Sequence, residues 1–282
     1  MTVKSFAAPY VSSDAGALAG AVMLRPSSAV ERLAPIKGEP SPIASRALEQ
    51  HAILVRTLRD RGVAVDEMPA VDGTPAESLL ADLAIVLPQG AIIARPSHLE
   101  RRAETAALAA HLDDLGIPII GRIESPGVLD ATDIAVAAGR IFVGVPRPGG
   151  ALHSRSNALG RTQLAALAAQ QGFTVVELAT APDVTRLRSV FTMVADDTAI
   201  AAPNKVDLVG AAGLTVVAVP RGEELAAGVL PLGGRRVLAN LRFRESIALM
   251  RKAKIAVDAI DLWEFGKAGY GPFSLVLAVK RG

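Results

Sequence analysis

The chain has 282 residues, 50% of them hydrophobic and 21% charged, which is enough apolar side chain for a large buried core. It has no cysteine, which excludes disulfides and thiolate metal sites, and its net charge of only +2 argues against a nucleic-acid partner although the sequence pI is about 9.1. No apolar run approaches the roughly 20 residues of a membrane helix and the N-terminus has no compact signal-peptide core, so we predict a cytoplasmic protein with no membrane partner.

Apolar strands, tight turns and helices alternate along the whole chain. Proline after a capping serine (Ser41-Pro42) predicts a helix start, and dipeptides such as Gln89-Gly90 and Gly233-Gly234 predict hairpin turns. In chain order the sequence predicts a strand at 21–25, a helix from 41 to 62, a strand at 63–65, a hairpin at 82–94, a helix at 98–116, a strand at 118–120, a hairpin at 133–144, a helix at 156–172, a strand at 173–178, a hairpin at 189–201, a strand at 214–219, a hairpin at 229–239, a helix at 244–254, and strands at 255–260 and 273–279.

The order of these elements distinguishes two α/β architectures. A doubly wound sheet alternates strands and helices one for one, whereas this chain repeats a hairpin, a helix and a further strand. The fifth hairpin splits across the termini and pairs 273–279 with 21–25. The pattern favours an α/β propeller of five ββαβ units around a pseudo-fivefold axis, forming one domain over 1–282.

In a ring of such units, the first strand of each hairpin begins near the central axis, so polar residues just ahead of these strands should converge on one cavity. The candidates are Asp82, Asp130, Asp133, Arg186 and Ser274. We predict that they define the functional site.

Several short motifs are distributed over nearly the full chain. They are Ala81-Asp82, Arg95-Pro96, Arg101-Arg102-Ala103-Glu104, Leu129-Asp130-Ala131-Thr132-Asp133, Ser154-Arg155-Ser156-Asn157 and Glu264-Phe265-Gly266-Lys267. In these motifs the chain resembles the dimethylarginine dimethylaminohydrolase and amidinotransferase family of the pentein superfamily. The resemblance implies the pentein fold, no cofactor and no metal, and a small guanidino or amino-acid-like ligand. It implies substrate-binding roles for Asp82, Arg95, Asp133 and Arg155 and a catalytic role for Asp130.

Two departures from the family pattern affect its covalent chemistry. The family's terminal cysteine motif here ends Gly271-Pro272-Phe273-Ser274-Leu275, and its His-Leu motif reads Arg186-Leu187. Family chemistry needs a thiolate nucleophile and a histidine that moves protons; a serine hydroxyl requires an adjacent base, and arginine does not deprotonate in proteins. A change at Ser274 alone would fit engineering, but Arg186 and the loss of two family glycines next to Asp130 favour natural divergence.

The sequence therefore leaves several functions open. The first is a catalytically inactive or repurposed ligand-binding homologue, and the alternative is an active hydrolase on an arginine-like compound with a non-standard mechanism. Arg186 has two possible roles. It could form an ion pair with Asp130 or Asp133 that fills an inactive site, or it could make the pocket bind a zwitterion or an anion. A homodimer is compatible with the sequence.

None of the four histidines stands at a predicted strand start that faces the axis. His51, His98 and His111 lie on or beside helices and are predicted to be surface residues. His153, in a glycine-rich loop next to Arg155, is the one histidine that we consider for a place over the cavity.

Overall fold

The structure, a computed structural model, describes residues 5–68, 73–137, 139–147 and 155–282. Its elements in chain order are β1 (Leu18–Leu24), α1 (Ala44–Asp60), β2 (Ala64–Met68), β3 (Ala84–Leu87), β4 (Gly90–Ile93), α2 (Glu104–Asp114), β5 (Ile119–Arg122), β6 (Ile134–Ala137), β7 (Arg140–Pro146), α3 (Ala158–Ala169), β8 (Thr174–Thr180), β9 (Phe191–Ala195), β10 (Thr198–Ala201), β11 (Thr215–Ala218), β12 (Leu230–Gly233), β13 (Arg236–Asn240), α4 (Arg244–Lys252), β14 (Ala256–Ile260), α5 (Trp263–Gly266) and β15 (Leu277–Arg281).

The strands form five three-stranded sheets that repeat one pattern. In each sheet an antiparallel hairpin supplies two strands, and the second of these pairs in parallel with a third strand. The sheets are β15-β1-β2, β3-β4-β5, β6-β7-β8, β9-β10-β11 and β12-β13-β14. The sheet that contains β15 and β1 joins the two ends of the chain, and the repeat predicted from the sequence is confirmed.

A helix lies in four of the five crossovers between parallel strands, namely α1, α2, α3 and α4. The crossover from β10 to β11 instead contains a short 3₁₀ turn, Val209–Ala211. This matches the sequence, which shows no helical periodicity between 201 and 214.

The predicted start of the first helix is wrong by two residues. Ile43 is the N-cap of α1, and no side chain of its own caps the helix. Two backbone N–H groups at the start of α1 are bonded to carboxylates from outside the helix: Ile43 donates to Glu264 at 2.7 Å and Ala44 donates to Glu31 at 2.9 Å. Distant carboxylates therefore replace the local cap that Ser41 would supply.

The predicted last strand begins too early. The segment Pro272–Leu275 forms a 3₁₀ turn, and β15 starts only at Leu277. Ser274 therefore lies in a turn ahead of the strand rather than within it.

The core is continuous between neighbouring sheets. Phe142 on β7 and Phe191 on β9 are both fully buried, and their rings meet edge to face with centroids 5.3 Å apart. In the described segments, no helix is both long and apolar enough to cross a membrane.

Helix α3 packs closely against the backbone of Val128, and this contact can be tested by mutation. A β-carbon added at Gly160 would lie 2.1 Å from the Val128 carbonyl oxygen. We expect Gly160→Ala to lower the free energy of unfolding by about 1–3 kcal/mol, because overpacking against backbone outweighs the gain in helix propensity. Thr162→Ala, at an exposed position of the same helix, is the control and should stay within about 0.5 kcal/mol of the parent in urea unfolding. Equal stability of Gly160→Ala and the parent chain would show that this packing is wrong.

Candidate functional site

Five short 3₁₀ turns precede the first strands of the five sheets and contact one another. They are Leu80–Asp82, Ala131–Asp133, Leu187–Ser189, Glu224–Ala227 and Pro272–Leu275. The first of them touches both the second and the last, and the second touches the third. Because Asp82, Asp133 and Ser274 lie on these turns, and Asp130 and Arg186 directly precede two of them, the five candidates are brought together.

Asp82 is fully buried and is held by side chains of the chain itself. Arg101 donates to its carboxylate at 2.7 Å, and the Thr132 hydroxyl also donates to it. Arg101 in turn bonds Glu104 at 2.9 Å and the Leu79 carbonyl at 3.1 Å. Burial alone would raise the pKa of the Asp82 carboxyl, but the Arg101 guanidinium holds that pKa below its usual value.

Asp130 forms a second buried ion pair. Its carboxylate accepts hydrogen bonds from Arg155 at 2.8 Å and from the backbone N–H of Ser97 at 2.9 Å. The Asp130 side chain is 1% exposed and that of Arg155 is 11% exposed, so the pair is largely removed from water. Although burial works against the charged form of Arg155, Asp130 raises the pKa of this guanidinium.

Asp133 lies beside this pair without an ion-pair partner among the described residues. Burial raises the pKa of its carboxyl to about 7, although hydrogen bonds from the Ser156 side chain and the Leu187 amide oppose that shift. Gly144 permits the close approach, because a β-carbon there would collide with the Asp133 carboxylate. The absence of a side chain at position 144 therefore has a steric reason.

Arg186 does not form the ion pair considered from the sequence. Its guanidinium carbon lies 3.8 Å from the ring centroid of Tyr270, and Nη1 reaches the Gly269 carbonyl only at 3.4 Å. Its Nε is buried and has no hydrogen-bond partner among the residues that the structure describes, and Asp130 is instead paired with Arg155. Burial, together with the positive charge of Arg155, lowers the pKa of Arg186.

Ser274 is completely enclosed. Its backbone N–H donates to Gly271 at 3.0 Å, while its hydroxyl has no hydrogen-bond partner in the described part of the chain. No histidine is therefore within hydrogen-bonding distance of the hydroxyl there.

A cavity of about 760 Å³ opens next to these turns. Of the candidates from the sequence, Arg155 and Arg186 line it, whereas Asp82, Asp130, Asp133, Arg95 and Ser274 are not among the lining residues that the structure describes. The side chain of Arg95 donates instead to the Gly127 carbonyl at 2.9 Å. Sequence reasoning did not single out three lining residues, Arg101, Tyr270 and His98; the Arg-Arg-x-Glu motif was the one available signal for Arg101.

Of the three histidines predicted to be surface residues, His98 is exposed, whereas His51 and His111 are not. His51 is only 2% exposed, and burial lowers its pKa to about 4. His111 is partly buried and bonds Asp66 at 2.6 Å, whereas His98 is exposed but lines the cavity. Burial and the charge of Arg155 lower the pKa of His98. His153 lies outside the described residues.

No metal site is evident in the segments that the structure describes, where no three side chains of histidine, aspartate or glutamate gather closely enough to hold an ion. The carboxylates of the site are bonded to arginine, hydroxyl and amide groups instead.

Comparison with known proteins places these features in context. No family model matches the chain. The chain is 31% identical over 221 residues to the N(G),N(G)-dimethylarginine dimethylaminohydrolase of Streptomyces coelicolor, covering 78% of this chain and 81% of that relative. It superposes with a TM-score of 0.82 on a mutant of the Pseudomonas aeruginosa enzyme of the same name complexed with citrulline, at 22% identity over 93% of this chain and 99% of that one. It also superposes with a TM-score of 0.77 on the amidinotransferase SxtG of Microseira wollei, at 15% identity over 96% of this chain and 97% of that one.

The raised pKa of Asp133 predicts a pH-dependent cost to stability. The pKa of the Asp133 carboxyl is about 7 in the folded state and 3.8 ordinarily. Its contribution to the free energy of unfolding is therefore fully present below about pH 4 and is lost as pH rises through 7. Asp133→Asn keeps an oxygen for the Leu187 N–H and carries no charge. We expect its free energy of unfolding, relative to the parent, to rise between pH 4 and pH 8 by up to about 4 kcal/mol.

Urea unfolding at several pH values measures this difference. Asp114→Asn removes one exposed carboxylate and controls for the change in net charge. If the free energies of unfolding of Asp133→Asn and the parent differ by the same amount from pH 4 to pH 8, the pKa of Asp133 is not raised in the folded state.

Proposed function

Since this chain belongs to the dimethylarginine dimethylaminohydrolase and amidinotransferase family, we propose that it is a member without the covalent machinery, which binds a small ligand in the cavity beside Arg155 and Arg186. The single observation that carries this proposal is the environment of Ser274 and Arg186. One is an enclosed hydroxyl without a hydrogen-bond partner among the described residues, and the other is a cation stacked on Tyr270.

The chemistry of these two groups argues against turnover by the family route. A serine hydroxyl becomes a nucleophile when a neighbouring base takes its proton, and the residue at the family's histidine position is a guanidinium. In the covalent route, a protonated side chain also has to act as an acid and deliver a proton to the departing amine. Arginine cannot exchange protons in this way. The changes at Ser274 and Arg186 therefore affect both halves of the mechanism.

The size of the cavity favours a binding role over a purely structural one. Its volume of about 760 Å³ lies within the roughly 300–1,000 Å³ typical of small-molecule sites, so Arg186 does not fill the space. The Pseudomonas aeruginosa relative is complexed with citrulline, a small amino acid. A small amino-acid-like or related molecule is thus the class of ligand that fits this cavity.

We also propose that the five units close into a ring and form one domain over 1–282. Contacts of β6 with β9, of β9 with β12, of β12 with β1 and of β15 with β3 support this closure, because they link four of the five pairs of neighbouring sheets. At the remaining pair, the turn Leu80–Asp82 before β3 contacts the turn Ala131–Asp133 before β6.

An activity assay tests the absence of turnover. We expect the purified chain, incubated with dimethylarginine, arginine or agmatine between pH 6 and pH 9, to release citrulline-type products no faster than buffer does. The physical reason is that the Ser274 hydroxyl has no proton acceptor among the described residues. Products are measured colorimetrically and by mass spectrometry.

Ser274→Ala serves as the matched control, because it removes the hydroxyl and little else. Turnover in the parent chain that disappears in Ser274→Ala would establish an active enzyme with a non-standard mechanism. That outcome would overturn the proposal.

A further inference from the structure

We infer that the cavity binds a small oxyanion, a carboxylate or a phosphate, at Arg186 with Arg155 beside it, and that it excludes guanidinium cations. This inference deepens the proposed function and rests on it, since it names the ligand class of the same cavity. The group of the ligand that lies deepest in the site would then be negative, whereas that of a guanidine ligand would be positive.

The first argument is the set of free donors on Arg186. The side chain is 97% removed from solvent, since the residue is 3% exposed, yet it lines the cavity. Its Nη1 makes only the 3.4 Å contact to Gly269, and its Nε, which is shielded from solvent, has no partner among the described residues. Stacking on Tyr270 fixes the plane of the guanidinium, so an oxyanion that reached its outer nitrogens would meet donors in a fixed plane.

The second argument is the state of the carboxylates that would attract a cation. Asp82 is bonded to Arg101 and Thr132, and Asp130 is bonded to Arg155 and Ser97. Neither carboxylate is among the lining residues of the cavity, which leaves the guanidinium groups in front of them. A guanidinium ligand would therefore have to displace an existing buried ion pair before it reached either of these two carboxylates.

The acidic residues that do line the cavity are differently placed. They are Glu39, Glu100, Asp183 and Glu224, and all four are exposed or half-buried. Three of them already have partners, as Glu39 accepts from Trp263, Asp183 pairs with Lys205 and Glu224 accepts from Asn204. By contrast, the charged lining residues that are buried in the described chain are Arg101 and Arg186. The sign of the desolvated wall is thus positive.

The third argument is the charge balance of the three arginines. Arg101 lies between two carboxylates, Asp82 and Glu104, and Arg155 has one, Asp130. Arg186 is the member of this group without a carboxylate partner in the described residues. Arg155 and Arg186 line the same cavity; burial and the charge of Arg155 lower the pKa of Arg186, while Tyr270, Asp82 and Asp130 act in the opposite direction. An oxyanion between them would supply the missing partner and relieve their repulsion.

Titration calorimetry at low salt tests the inference with three probes: glutarate for a carboxylate, glycerol 2-phosphate for a phosphate, and agmatine for a guanidinium without a carboxylate. We expect at least one of the two anions to bind and agmatine not to bind. Whichever anion binds more tightly identifies the oxyanion. Arg186→Met should weaken that anion roughly tenfold to a hundredfold, because it removes a charge-assisted bidentate contact. Arg251→Met, at an exposed position of α4 away from the cavity, should leave the affinity unchanged.

A second variant covers the case in which Arg186→Met does not fold. Arg186→Lys keeps the charge and loses the planar fork, so it should weaken the anion by a smaller factor than Arg186→Met and still bind it. In the parent chain, affinity for the anion should fall as salt is raised, as expected for a charged contact.

Three results would overturn the inference: binding of agmatine that is tighter than that of both anions, no binding of any probe, or an anion affinity that Arg186→Met leaves unchanged. The first would leave the proposed absence of catalysis intact, because it concerns only the charge of the ligand. Product formation in the separate activity assay would overturn the absence of catalysis whichever probe binds. The two proposals therefore fail in distinguishable ways.

Discussion

The pairing of buried charges where the five turns meet is the constraint on which this site depends. Two carboxylates, Asp82 and Asp130, lie almost out of contact with water, and each is held by an arginine at 2.7 to 2.8 Å. Removing one partner of such a buried pair costs roughly 3–5 kcal/mol, because the other charge is left desolvated and alone. The acids that attract attention in the sequence as cation-binding groups are thus also structural groups, and their freedom to engage a ligand is limited by the arginines that they already hold.

Arg186 shows how a site of this kind changes its character without changing its fold. A histidine can be neutral when buried, but a guanidinium brings a charge that has to be accommodated. Here the face of Tyr270 and the Gly269 carbonyl accommodate it, while the neighbouring carboxylates remain with Arg101 and Arg155. Because none of the described side chains closes the space in front of Arg186, a cavity of about 760 Å³ is present there. An arginine at this position leaves room for a ligand and sets the charge that the ligand would meet.

The sequence predicts the architecture well and the contacts of the site poorly, for reasons that are physical. Strand, turn and helix periodicities are local, so the five hairpins, the missing fourth crossover helix and the gathering of residues ahead of the strands could all be inferred. The start of α1 was misplaced because Glu264, more than 200 residues away, satisfies the amide that a local cap would. In the same way, nothing local indicates that Arg155 rather than Arg186 pairs with Asp130, or that His51 is buried.

Under the proposed function, the charge at Arg186 argues against guanidine chemistry as much as the serine at 274 does. A guanidine substrate would itself be a cation and would meet this charge in the cavity. Two like charges about 4 Å apart repel by roughly 4 kcal/mol at the effective dielectric constant of a partly buried site, which is close to a thousandfold in affinity. Nothing at 186 would then carry protons to the leaving group. The proposed loss of the nucleophile and of the base is therefore consistent with the charge at Arg186, and that charge favours a ligand of the opposite sign.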